Sequence, residues 1–211
     1  MPAASLRLVP LGIQEKDGWA RVDWQLAGLA GGDYTLSHAV PVQDRSLLGD
    51  PARADHAIAA VLLRAMQRRQ DLVIEGRVSP RLLDGLETLQ QIWQRWAPGR
   101  YRIVNIEAAE QCESAPATPD RPALFAFSGG VDASFSLFRH LHGEAGRHNR
   151  RPGAALLVHG MDIPLQRDDF YASAAARAET MLQGSGVRLL RMRTNSRALE
   201  QDWEDSFGLQ L

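Results

Sequence analysis

The stretch of this chain best suited to chemistry is Phe127-Ser128-Gly129-Gly130-Val131-Asp132-Ala133-Ser134, which follows the apolar run Ala123-Leu124-Phe125-Ala126. Two adjacent glycines let the backbone take positive φ and bring its N–H groups close to a ligand. A helix pattern begins straight afterwards, and a helix N-terminus adds unpaired N–H donors and a partial positive charge. Strand end, glycine turn and helix start together make a site for an oxyanion, with phosphate the expected one. The sequence holds no Gly-Lys-Ser or Gly-Lys-Thr of a Walker A loop, and Gly184-Ser185-Gly186 follows a helix instead of a strand. No G-x-S-x-G elbow surrounds Ser128, which argues against a hydrolase nucleophile.

The elements that must position this loop have their own rhythm. Leu124 to Phe127 reads as a strand, Ala133 to Leu141 as a helix and Ala155-Leu156-Leu157-Val158 as a second strand. Asp168 to Leu182 reads as a second helix, with Asp168 and Asp169 at its positive end, and Val187 to Met192 as a third strand. Continuous apolar strands separated by helices predict an α/β unit with a parallel sheet. Ligands of such sheets bind beyond the carboxyl ends of the strands. Ser128-Gly129-Gly130, His159-Gly160-Met161-Asp162 and Thr194-Asn195 all fall there.

Upstream, Ala20, Val22, Trp24 and Leu26 alternate with polar residues, the period of a half-buried strand. Leu6 to Ile13 precedes it across a Lys16-Asp17-Gly18 turn, and Tyr34 to Val42 follows, so an antiparallel meander is expected. A helix pattern covers Ala54 to Gln70, and Leu72-Val73-Ile74 is a short apolar stretch. Ser79-Pro80 starts another helix, whose stripe of Leu82, Leu83, Leu86, Leu89, Trp93 and Trp96 reads as core. Tyr101 to Ile106 reads as a strand, and the polar run Glu107 to Pro122 carries three prolines. The organisation expected is an α+β domain over 1–110, a linker over 111–122 and the α/β domain over 123–211.

With 211 residues, 45% hydrophobic and 23% charged, the composition is that of an ordinary globular protein. A net charge of −1 gives no reason to expect nucleic acid or membrane as partner. Lys16 is the only lysine among many arginines, a bias read as a GC-rich coding sequence, with Arg anion clamps as the sharper alternative. Cys112 stands alone, so one chain builds neither a disulfide nor a cysteine zinc site. With no signal-peptide pattern at Met1-Pro2-Ala3-Ala4-Ser5 and no apolar run near membrane-spanning length, the expected location is cytoplasmic.

Ser128-Gly129-Gly130-Val131-Asp132 between strand and helix resembles the pyrophosphate-binding loop (PP-loop) of the N-type ATP pyrophosphatase superfamily, which includes GMP synthetase, asparagine synthetase and 7-cyano-7-deazaguanine synthase. Ala133 stands where a Ser is usual in that loop, and Ser134 follows. The resemblance implies an adenine-nucleotide α-hydrolase-like (Rossmann-like) fold, with ATP and Mg²⁺ as cofactors. Ser128, Gly129, Gly130 and Ser134, with Val131 between them, would hold the β- and γ-phosphates. Asp132 would be the catalytic residue, either as a Mg²⁺ ligand or as a brace for the loop. It also implies that His159 and Asp162 lie near adenine and ribose, and that Thr194, Asn195 and Arg197 add polar groups on the same edge. For these the residues alone leave plain alternatives: a strand-end histidine, a turn-capping aspartate, an exposed arginine.

The reaction implied is attack by a substrate oxygen on the α-phosphorus of ATP with loss of pyrophosphate, ahead of C–N bond formation, as in an adenylating ligase. Pro2 excludes an N-terminal cysteine glutaminase, and the lone Cys112 argues against sulfur transfer. The resemblance leads one to expect about five parallel strands where three are counted. The sequence is therefore read as the N-terminal portion of a longer protein, its partner either a missing C-terminal half or a second copy. The alternative is a non-catalytic nucleotide-binding or interaction protein, a remnant of such an enzyme.

Overall fold

A computed structural model of the chain describes residues 5–29, 31–113 and 121–199. By contact density the chain divides into two units, Met1–Ser114 with Asn195–Leu211, and Ala115–Thr194. Among the described residues, Asn195 to Leu199 thus return to the first unit after the second.

Alternation builds the first unit. Strands β1 (Leu6–Lys16), β2 (Trp19–Ala27) and β3 (Tyr34–Pro41) form the expected antiparallel meander. Asp17 and Gly18 both take positive φ, 52° and 78°, which matches the right-handed twist of the strands they join. Helix α1 (Asp55–Arg68) follows a 3-10 helix (Val42–Leu48) and leads to β4 (Leu72–Val78), α2 (Pro80–Trp96) and β5 (Ile106–Gln111). β4 pairs parallel to β1, and β5 parallel to β4, so the order is β5-β4-β1-β2-β3. Leu6, Leu8, Val22, Trp24, Leu26 and Leu36 turn one face inward against Ile58, Leu62 and Met66 of α1. Gly76 of β4 makes room for the Trp24 ring, since a Cβ there would stand 2.7 Å from Trp24 Cη2.

Two expectations for this unit are corrected. The strand predicted over Tyr101 to Ile106 lies instead at Ile106–Gln111, inside the stretch read as a polar run. Tyr101 and Val104 are buried core residues of a connecting segment, whose Val104 N–H donates to Oε1 of buried Gln90 (2.9 Å). Trp93 packs partly against the core, but Trp96, one turn on, is 73% exposed.

The second unit is α/β. β6 (Ala123–Ala126), β7 (Pro152–His159) and β8 (Arg188–Thr194) are parallel in the order β8-β7-β6. Helices α3 (Val131–Leu141) and α4 (Asp168–Leu182) connect them. Phe127, Leu137, Ala155, Ala178, Leu182 and Val187 make one buried cluster; Leu157, Tyr171 and Ala175 make a second. Both draw on alternate residues of β7, so both helices cover the same face of this sheet. No helix of the described residues is long and apolar enough to cross a membrane.

Candidate functional site

The glycine loop is held from behind by Phe127, which is buried and whose N–H donates to the Leu156 carbonyl (2.8 Å). That bond continues the β6–β7 pairing one residue past the strand and fixes where the loop departs. Ser128 is then exposed, and Gly129 turns the chain with φ +77°. A Cβ on Gly129 would lie 3.3 Å from Met181 Sδ, so the turn sits tightly over α4. Gly130, extended at φ −73° and ψ 167°, is the N-cap of α3.

No side chain caps this helix. Its first backbone bond runs from the Ser134 N–H to the Gly130 carbonyl (3.0 Å), which leaves the N–H groups of Val131, Asp132 and Ala133 without intrahelical acceptors. Ser134 Oγ is buried with no hydrogen-bond partner. An orphaned buried hydroxyl costs about 1–3 kcal/mol, and helical side chains lean toward the N-terminus, here toward the loop. Asp132 is exposed on the first turn. The donor set suits a multiply charged oxyanion.

Ser128, Gly129, Gly130, Val131, Asp132 and Ser134 thus come together in one turn. His159 does not join them. It shares a face of β7 with Ala155 and Leu157, so it is fully buried on the helix-covered side. There it stacks on Tyr171 (4.3 Å between centroids, 5° between planes), with Nε2 2.9 Å from the Pro164 carbonyl oxygen. Burial pushes the Tyr171 phenol up to about 12, and its O–H donates to the Leu157 carbonyl (3.0 Å). The nucleotide-facing role expected for His159 is therefore corrected to a structural one. Asp162 is exposed in the turn after β7, which Gly160 opens by donating its N–H to the Ile163 carbonyl (2.8 Å). Thr194 is buried at the end of β8.

Asn195 is corrected as well. Its Oδ1 accepts from the Ser37 N–H (2.8 Å), its Nδ2 donates to the Thr35 carbonyl (2.8 Å), and its own carbonyl accepts from Tyr34 O–H (2.7 Å). The amide expected to face a nucleotide is engaged by the backbone of β3. Arg197 lies in the 3-10 turn Ser196–Leu199, which also belongs to the first unit. The sequence reading placed Asp168 at the start of the second helix but did not pair it with Arg193; their side chains lie 2.7 Å apart, with Asp168 Oδ1 3.8 Å from His159 Nδ1. The available signal was the period of two along β8, which puts Leu189, Arg191 and Arg193 on one face.

Among the described residues no group of three or more His, Cys, Asp or Glu side chains converges to hold a metal. Mg²⁺ does not need such a group, because it binds through one or two carboxylates together with phosphate oxygens and water. Asp132 beside the loop meets that requirement. A cavity of about 540 Å³ lies elsewhere, between α2 and the segment leading into β5. It is lined by Asp84, Glu87, Gln90 and Gln91 with no Lys or Arg, the wrong charge for a phosphate. Comparison of the chain with protein-family models, with curated proteins and with solved structures finds no match.

Proposed function

We propose that the turn Ser128–Ser134 binds the phosphates of ATP, and that the second unit is a PP-loop domain of the adenine-nucleotide α-hydrolase-like type. The observation that carries this reading is the uncapped start of α3 directly after the Gly129-Gly130 turn, with N–H donors of three successive residues presented together. Exposed Ser128 would add a hydroxyl donor, and a phosphate oxygen would supply the partner that Ser134 Oγ lacks. Asp132 would carry Mg²⁺, which shields its own charge from the phosphates. Mg²⁺ held by Asp132 would supply positive charge to offset that of a departing pyrophosphate. The reaction class that follows is adenylation: a substrate oxygen bonds to the α-phosphorus while the α–β phosphoanhydride breaks and pyrophosphate leaves at the loop. Such a site works by positioning and by preorganised donors, not by a covalent nucleophile.

Nucleotide binding without chemistry is the second reading. Ala133 removes a hydroxyl from the loop, and His159 and Asn195 are engaged in structure. Calorimetric titration with Mg²⁺-ATP and with pyrophosphate tests the site, and pyrophosphate release in the presence of carboxylic acids tests the reaction. Gly130→Val should weaken ATP binding by about 10-fold or more, comparable to losing one charge-assisted hydrogen bond. Its Cβ would meet only Ser128 Oγ at 3.5 Å, and its φ suits any residue, so the fold should tolerate the change. Equal ATP affinity in Gly130→Val and the native chain would refute the site. ATP binding with no pyrophosphate from any acid would favour the second reading.

A further inference from the structure

The cavity beside α2 lies along a free strand edge. Among the described residues β5 pairs only with β4 and ends the order β5-β4-β1-β2-β3. Leu72 N–H donates to the Asn105 carbonyl (2.8 Å) and Cys112 N–H to the Val78 carbonyl (2.9 Å), with Leu72 opposite Ile106 and Val78 opposite Gln111. A strand bonds its neighbour through every second residue, so the N–H and C=O groups of Ile106 and Gln111 point to the unpaired side. Both residues line the cavity. Its other wall is one face of α2, from Pro80 through Asp84 and Glu87 to Gln91. Over those residues α2 rises about 16 Å, and Ile106 to Gln111 spans about 16 Å of strand. A volume of 540 Å³ spread over that length has a cross-section of about 34 Å², roughly 6 Å across, against a strand spacing of about 4.7–4.9 Å. The slot is one strand wide.

The groups in the slot identify the occupant. Gln90 is 2% exposed; its Oε1 holds the Val104 N–H, and its Nε2 has no acceptor among the described residues. A buried amide nitrogen of this kind calls for a carbonyl oxygen. Asp84 and Glu87 are exposed along the slot, neither is paired with a base among the described residues, and no Lys or Arg lines the cavity. We propose that the slot binds an extended basic segment of a partner protein, which adds as a strand beside β5 and sets Lys or Arg side chains against Asp84 and Glu87. Ile106 and Gln111 hydrogen-bond its backbone, and one of its carbonyls accepts from Gln90 Nε2. In an added strand every second side chain turns toward α2, at steps of about 6.6 Å, against about 5–6 Å between residues three apart on a helix. Leu83 and Ile103 give the methylene stems of those side chains an apolar wall. A second copy of β5 is a poor occupant, because Glu107 and Glu110 are exposed on the same strand and would meet like charge. The run 200–211 of this chain is equally unsuited, with four acids and no base.

The slot belongs to the first unit and is tested without ATP. The probe is a fluorescein-labelled, terminally capped heptapeptide with Lys at every second position and Val between, its binding to the full chain followed by fluorescence anisotropy. The dissociation constant should lie below about 100 μM, and the same peptide with Glu in place of Lys should bind at least about 10-fold more weakly. Two N-methylated versions, one at the Val and one at the Lys amides, keep the charge and remove the donors of one edge or the other. At least one of them should lose about 10-fold or more. Asp84→Lys with Glu87→Lys should reverse the order of the Lys and Glu peptides, with an unchanged far-ultraviolet circular dichroism spectrum. The Ile106 amide should exchange its hydrogen more slowly in the complex. Absence of saturable binding, equal affinity for the Lys and Glu peptides, an order left unreversed in the folded double variant, or an Ile106 amide that exchanges unchanged would each overturn the proposal. So would undiminished binding of both N-methylated peptides, which would mark a site for cations with no added strand.

Discussion

Gly160→Ala is the sharpest test of the second unit. Gly160 turns the chain at the end of β7 with φ +103°, and a Cβ there would stand 1.8 Å from the Thr194 carbonyl oxygen and 3.3 Å from Leu165 Cδ2. Carbon and carbonyl oxygen approach comfortably to about 3.3 Å, so the turn or the end of β8 must retreat by roughly 1.5 Å. The backbone that moves carries the His159–Arg193 rung of the ladder and the Pro164 carbonyl bound to His159. Positive φ costs an L-residue about 1–2 kcal/mol, and overpacking adds about 1–3 kcal/mol. The lower unfolded-state entropy of Ala returns about 0.4–1 kcal/mol. The net expectation is a loss of about 1–4.5 kcal/mol, centred near 3 kcal/mol. Gly186→Ala is the control, since φ is +73° there but nothing lies within 4 Å of the new Cβ. It should lose only about 1 kcal/mol. Because two units need not unfold together, the suitable assay is native-state hydrogen exchange of β7 and β8 amides. Gly160→Ala should exchange them about 10-fold or more faster than Gly186→Ala. Rates within a factor of two of each other would show that the contact with Thr194 does not constrain the turn.

Two further expectations concern the first unit. The His38 pKa is lowered to about 4, first by burial and then by His56, whose own pKa burial also lowers. The unfolded chain therefore binds more protons between its ordinary His value of 6.5 and about 4. Stability should be fully present above that window and fall with pH through it, by up to about 1.4 kcal/mol per pH unit. Urea unfolding of His38→Gln should show a shallower slope, and an unchanged slope would reject the assignment. Gln90→Leu removes the acceptor of the buried Val104 N–H and should destabilise by about 1–3 kcal/mol in the same assay; a loss under about 0.5 kcal/mol would mean that water replaces the amide.

What could be read in the sequence depended on how far away each residue's partner lies. The meander, α1 and α2 follow from local periodicity, as do the alternating strands and helices of the second unit. Polar Ile106–Gln111 shows no alternation, whereas Tyr101-Arg102-Ile103-Val104 does resemble a strand; what decides between them is Gln90, a helix residue, holding the Val104 N–H. Of the site, the turn itself was legible because strand, glycines and helix are contiguous. His159 was misplaced although period two from Ala155 and Leu157 already turns it inward. Asn195 gave no local warning, because its partners on β3 stand about 160 residues earlier.

The return of Asn195 and Leu199 to the first unit has a consequence for how the chain is made. A ribosome releases β1 to β5 and both helices of that unit early, yet Leu199 is a buried member of the same core and packs near α1. Until the whole of Ala115–Thr194 has been synthesised, the place of Leu199 is empty and the Ser37 and Thr35 backbone lacks the Asn195 amide. The nascent first unit therefore stays open while a complete guest unit is threaded into its sequence, and closing that long loop adds only a slowly growing entropic cost. Its final locking waits for Asn195 and Leu199, the first residues to emerge after the insertion.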